Sequence, residues 1–152
     1  MKILSNAFEN GEFIPEKYTC DGIDISPALK FIDIPENTKS LALIVEDPDA
    51  PIGVFTHWVV YDIPPNITGF PEGMPKEPLL EYGIKQGIND FDKIGYNGPC
   101  PPPGKPHRYF FILVALNIQN VGLAPGATKN ELIKAINGHI IDKAELIGLY
   151  RR

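Results

Sequence analysis

Three polar islands carry the residue types that could do chemistry in this chain. They are DPDAP at 47–51, His57 in HWVVYDIP, and the pair His107 and Tyr109 in GYNGPCPPPGKPHRY at 95–109. Two imidazoles, two carboxylates and a phenol supply donors, acceptors and groups that titrate near neutral pH. A phosphate or carboxylate would take its hydrogen bonds from the histidines, the Tyr109 hydroxyl and loop amides, with glycine permitting close backbone approach. An aspartate beside an anion repels it, so Asp47 and Asp49 need another task. Either could accept a hydrogen bond from a histidine, favouring the imidazolium and fixing its ring, or meet the ammonium of a zwitterionic ligand. Binding of an anion is then expected to strengthen as pH falls through the histidine range.

The elements that position these residues follow from pattern. Strands are predicted over Lys2–Ser5, Ala28–Ile32, Leu41–Glu46, Thr56–Ile63, Arg108–Asn117 and Glu145–Tyr150, most of them bounded by Gly, Pro, Asn or Asp. SLALIVE and YFFILVAL are almost wholly apolar, which predicts strands covered on both faces at the centre of a sheet. Asp47 and Asp49 end one strand, while His57 and His107 begin two others, so antiparallel neighbours would gather Asp47, Asp49, His57, His107 and Tyr109 at one rim. His107 and Tyr109 share a strand face, whereas Arg108 points to the opposite one and is expected to form a structural ion pair there. Prolines flanking Asp49 stiffen that corner, and Ala50–Pro51 is a candidate cis bond. TKNELIKAING predicts one helix, with Thr128 and Glu131 as capping box, Leu132, Ile133 and Ile136 as apolar stripe and Gly138 as stop. Between Pro64 and Gly95, recurrent Pro and Gly forbid a long helix, and a connection of that length is commonly functional. His139 reads as structural.

The bulk composition narrows the class. A chain of 152 residues with no repeat or composition shift predicts a single domain at 1–152, and 16 prolines favour strands and loops over long helices. A formal net charge of −5 with only three arginines argues against nucleic-acid binding. No run reaches the length of a membrane span and the N-terminus lacks the pattern of a signal peptide, so the expected location is the cytoplasm. There two cysteines, Cys20 and Cys100, are expected as free thiols, with a disulfide as the alternative. Abundant Ile, Lys and Glu beside only two glutamines hint at a thermophilic source.

DPDAP, then HWVVYDIP, then GYNGPCPPPGKPHRYFFILVALN, together with YTCDGIDISPALKF near the N-terminus, resemble the phosphatidylethanolamine-binding protein family, in particular its short bacterial and archaeal Raf kinase inhibitor-like members. The resemblance spans nearly the whole chain. It implies a mostly β fold of two antiparallel sheets with Greek-key topology, a few short helices and a small rim pocket for phosphate or a phosphorylated headgroup. The family's pocket positions fall on Asp47, Asp49, His57, His107 and Tyr109, with the backbone of Gly95, Tyr96, Gly98 and Pro99 as one wall. Relatives act as kinase regulators, protease inhibitors or signalling scaffolds, so a kinase or protease partner is a second expectation, and the short members suggest a homodimer. Larger eukaryotic members add a C-terminal helix near the pocket; no such helix is read after the last strand here, which weighs against the kinase-inhibitor role.

Catalysis finds little support. Ser5, Ser26 and Ser40 lie outside the motifs, and Thr56 neighbours His57 but alternates to the other face. Cys100 has no adjacent histidine in sequence, although His107 could approach it in space. The enzymatic alternative is a hydrolase with a divalent metal held by His57, His107 and an aspartate. The favoured reading is a non-enzymatic binder without cofactor or metal. No continuous apolar cavity suited to an acyl chain is legible.

Overall fold

The computed structural model describes residues 1–152. Strands β1 (Lys2–Leu4), β2 (Leu29–Ile32) and β5 (Gly69–Phe70) form a small sheet in the order β1-β2-β5. A larger sheet runs β6-β4-β3-β7-β8, from β3 (Ser40–Asp47), β4 (Phe55–Ile63), β6 (Lys85–Gln86), β7 (His107–Leu116) and β8 (Ile140–Tyr150). Neighbouring strands pair antiparallel in both. Strand β7 returns by a long connection to lie beside β3, the first strand of the β3–β4–β6 run, which is the Greek-key arrangement.

The apolar runs are explained by what covers them. One core between the sheets contains Ile3, Phe31, Leu41, Leu43, Val45, Trp58, Val60, Phe70, Phe111 and Leu113. On the other face of the large sheet, Ala42, Ile44, Val59, Tyr61, Val114 and Leu116 pack with Leu132 and Ile136 of helix α1 (Lys129–Ile136). Both faces of β3 are therefore buried, and the usual alternation with polar residues disappears. Strand β3 lies at the centre of the large sheet with β7 beside it.

Helix α1 begins at the predicted capping box: Thr128 accepts from the Glu131 amide at 3.1 Å, and Glu131 accepts from the Thr128 amide at 3.0 Å. Ile133 departs from the predicted stripe and is 45% exposed, because only the Leu132/Ile136 side of this short helix meets the sheet. Gly138 ends the turn at φ +83°, a left-handed conformation that suits glycine. The last strand starts at Ile140 rather than Glu145, since it pairs with β7 along that strand's full length. Strands β5 and β6, two residues each, are too short to leave a periodic signal.

Two expectations are corrected. Cys20 and Cys100 are not free thiols but a disulfide, with Cα atoms 5.4 Å apart. The Cys20 amide donates to the Pro99 carbonyl at 3.1 Å, which brings the two loops side by side. No peptide bond is cis, so Ala50–Pro51 is trans. The corner is closed instead by the Asp49 amide donating to Asp47 Oδ1 at 2.7 Å and the Gly53 amide donating to the Ala50 carbonyl at 3.1 Å.

Candidate anion pocket

A cavity of about 310 Å³ opens where β3 ends and β4 and β7 begin. Asp47, His57, His107 and Tyr109 supply its polar groups, and Phe55, Phe91, Pro51, Ile52, Pro101 and Pro102 give it an apolar collar. Register explains the meeting of Asp47 and Tyr109. Val45 pairs with Phe111 and Glu46 with Phe110, so Asp47 and Tyr109 fall on the same side as Val45 and Phe111, and His107 follows two residues from Tyr109.

His57 reaches that face through a bulge. The β3–β4 register shifts between Val45, opposite Trp58, and Glu46, opposite Thr56, leaving His57 as the extra residue. Trp58 points into the inter-sheet core, yet its neighbour His57 packs edge-on against Tyr109, ring centroids 5.3 Å apart, on the same side. Strict alternation would have sent the two residues to opposite faces.

The carboxylate and both imidazoles are held by named partners. His107 Nδ1 lies 2.7 Å from Asp47 Oδ2, with the two side chains only 12% and 4% exposed. A carboxylate this buried needs such partners, and the Asp49 amide satisfies its other oxygen. His57 Nδ1 lies 2.7 Å from the Asn97 carbonyl oxygen; a carbonyl only accepts, so this nitrogen carries the proton. Burial lowers the His57 pKa from its ordinary value and outweighs the carbonyl bond and the charges of Asp47, Asp24 and Asp90, all of which raise it. Burial, followed by the Asp47 charge, drives the Tyr109 phenol pKa well up, so it stays an O–H donor at any physiological pH.

The remaining expected positions sit around the cavity rather than on its lining. Asp49 turns outward and takes Arg108 as a two-pronged partner, Nε and Nη2 each at 2.9 Å, which also accounts for the ion pair expected of Arg108. The guanidinium hydrogen bond holds the Asp49 pKa below the ordinary carboxylate value. Gly95, Tyr96, Gly98 and Pro99 form a supporting layer. The Gly95 carbonyl accepts from Asn89 Nδ2, the Tyr96 hydroxyl donates to the Tyr18 carbonyl, and the Gly98 amide donates to Asp24 Oδ1. A Cβ at Gly98 would stand 2.0 Å from the Tyr18 oxygen, so only glycine fits. The wall nearest the cavity is Cys100 to Pro102, just beyond this stretch.

Sequence reading missed the collar and the support. Phe91 comes from the long 64–94 connection and packs on Phe55 and His57, at 4.7 and 5.5 Å between centroids. Asp24 holds the 97–98 loop, and its signal was the YTCDGID stretch in which it sits. No three His, Cys, Asp or Glu side chains converge in a metal-ligating arrangement, so the set of His57, His107 and an aspartate suggested by residue types is not assembled. No helix is long and apolar enough to cross a membrane.

Comparison with known proteins agrees with this architecture. Over its whole length the chain is 55% identical to the UPF0098 protein of Aquifex aeolicus, covering 89% of that relative, and it is 53% identical to a UPF0098 protein of Pyrococcus horikoshii over 98% of this chain and 76% of the relative. A phosphatidylethanolamine-binding protein homologue from Chlamydia trachomatis superposes with a TM-score of 0.90 at 42% identity, covering 99% of this chain and 97% of that one. E. coli YbcL, described as a member of the mammalian PEBP family, gives 0.92 at 33% identity over 99% and 98% of the two chains. Residues 4–151 match the family described as phosphatidylethanolamine-binding protein. With its two antiparallel sheets and sequence likeness along the whole chain, this protein belongs to the phosphatidylethanolamine-binding protein family.

Proposed function

We propose that the chain is a binding protein for small anionic groups, phosphate or a phosphorylated headgroup, and that it does not turn its ligand over. The observation that carries this reading is the convergence of the Asp47–His107 pair, the Tyr109 hydroxyl and His57 in one cavity with apolar walls. His107 has its Nδ1 committed to Asp47, and in the imidazolium form its Nε2–H is a donor backed by a buried carboxylate. Tyr109 adds a second donor. No serine or threonine lines the cavity, and its only cysteine, Cys100, is in the disulfide, so the lining offers no aliphatic hydroxyl or free thiol as nucleophile. Calorimetric titration of phosphate and phosphoethanolamine at pH 6, beside His107→Ala, tests the reading. Binding by the wild type that is lost in a folded variant supports it, and no heat from either ligand refutes it.

A second reading, inhibition of a protease or kinase through protein contacts, draws on the exposed apolar mouth of the same cavity. Ile52 on its lining is 94% exposed and Phe91 36%. An acidic or phosphorylated group on a partner could enter the pocket while these side chains meet its surface. In that case free phosphate should release the bound partner, and Ile52→Asp should weaken the complex. A complex indifferent to both would contradict this reading.

A further inference from the structure

We propose that His57 makes the pocket selective for oxyanions that bring a proton of their own, admitting phosphate and phosphomonoesters in their hydrogen-bearing forms and rejecting sulfate. The inference rests on the anion-site reading and adds a rule for which anions enter.

The geometry begins with the Asn97 carbonyl, which fixes the proton of His57 on Nδ1. Asn97 is not free to swing away. Its amide donates to the His57 carbonyl at 3.2 Å, its Oδ1 accepts from Asn89 Nδ2 at 2.8 Å, and the next amide, Gly98, is held by Asp24 at 2.7 Å. In the neutral ring the other nitrogen, Nε2, then carries a lone pair and can only accept. No hydrogen bond to the protein engages it, and the ring lines the cavity.

The surroundings favour the neutral ring. His57 is 3% exposed, packed edge-on by Phe91 and Tyr109 and at a tilt by Phe55. The charged or titratable groups around it are Asp47 from β3, His107 and Tyr109 from β7, and Asp24 and Asp90 from the adjoining loops. The three carboxylates favour an imidazolium, but desolvation is the larger effect. Arg108 cannot supply a compensating cation because Asp49 engages its guanidinium.

An oxyanion in this cavity therefore meets donors from Tyr109 and, when charged, His107, but a bare acceptor at His57. A ligand oxygen with a hydrogen satisfies that acceptor; one without a hydrogen sets lone pair against lone pair at a buried ring. Inorganic phosphate retains a hydroxyl throughout the neutral range, and a phosphomonoester is about half protonated near pH 6. Sulfate has no hydrogen to offer. A site governed by charge alone would give the opposite order at pH 6, taking the sulfate dianion over the phosphate monoanion. The two accounts differ in sign. The unmet acceptor should weaken sulfate at least about tenfold relative to phosphate.

The test is titration of the full chain with sodium phosphate and sodium sulfate at pH 6, followed by calorimetry and by long-range proton–nitrogen spectra of the imidazoles. The expected result is phosphate binding, sulfate at least about tenfold weaker, and a His57 Nε2 resonance of the unprotonated type that shifts when phosphate is added. Sulfate binding as tightly as phosphate would overturn the selectivity and leave the anion site standing. No binding of either would overturn both. A His57 imidazolium, or a ring protonated on Nε2 instead of Nδ1, would remove the basis of the inference even if variants fail to fold. His57→Gln, whose amide can turn an N–H toward the ligand, should raise sulfate affinity relative to phosphate.

Discussion

At the scale of single residues, the pocket depends on which nitrogen carries which proton. The His57 pKa is lower in the folded protein than the ordinary value of about 6.5, so near that pH the unfolded chain holds more protons than the folded one. The stabilising contribution is present in full above the ordinary value and is lost as pH falls through the folded one. Urea midpoints should thus rise from pH 5.5 to 7.5, and His57→Gln should flatten the rise; an unchanged slope would contradict the assignment. Asp49 does not interfere, because its depressed pKa places its own loss of stability below the ordinary carboxylate value. Removing His107 strands the buried Asp47 carboxylate, so His107→Ala should cost about 3 kcal/mol, and adding Asp47→Asn should recover part of it. Additive losses in a urea double-mutant cycle would show that the pair is not coupled. The meeting of Asp47, His107 and Tyr109 was legible because strand ends and two-residue spacing bring them to one rim. The outward turn of Asp49 was not, since it depends on a bidentate partner across the corner.

At the scale of elements, the pocket wall is a loop held by backbone contacts and one covalent tie. The Cys20–Cys100 bond closes a span of 80 residues, and its loss should destabilise the fold by about 4 kcal/mol on the loop-entropy argument. The thermal midpoint of a Cys20→Ala/Cys100→Ala double variant checks this; an unchanged midpoint would mean that the Cys20–Pro99 and Gly98–Asp24 hydrogen bonds suffice alone. Gly98→Ala forces a methyl against the Tyr18 carbonyl and should cost about 2–3 kcal/mol by the same measurement. The long apolar strands and the capped helix were legible because each has a strong local signature. The bulge that turns His57 onto the face of Trp58 was not: it arises from a mismatch between β3 and β4, and neither strand displays it alone. The disulfide depends likewise on two loops meeting, which the spacing of its cysteines does not encode.

At the scale of the whole molecule, the long 64–94 connection supplies Phe91 to the pocket collar and places a second apolar cleft elsewhere on the surface. That cleft, about 290 Å³, is lined by Phe70, Met74, Leu80 and Tyr82, with Tyr82 73% exposed and Leu79 on the same connection 55% exposed. We propose a homodimer that covers this surface. Light scattering at micromolar concentration should give twice the chain mass, and Tyr82→Glu should return the protein to a monomer; a monomeric wild type would contradict the expectation. The anion pocket itself is tested most directly by amide chemical-shift mapping of the disulfide-intact protein with phosphate at pH 6. Saturable shifts confined to residues 47–57, 91 and 96–109 are the expected result. Shifts scattered over surface lysines, or none at all, would contradict an anion site at the Asp47–His107 rim.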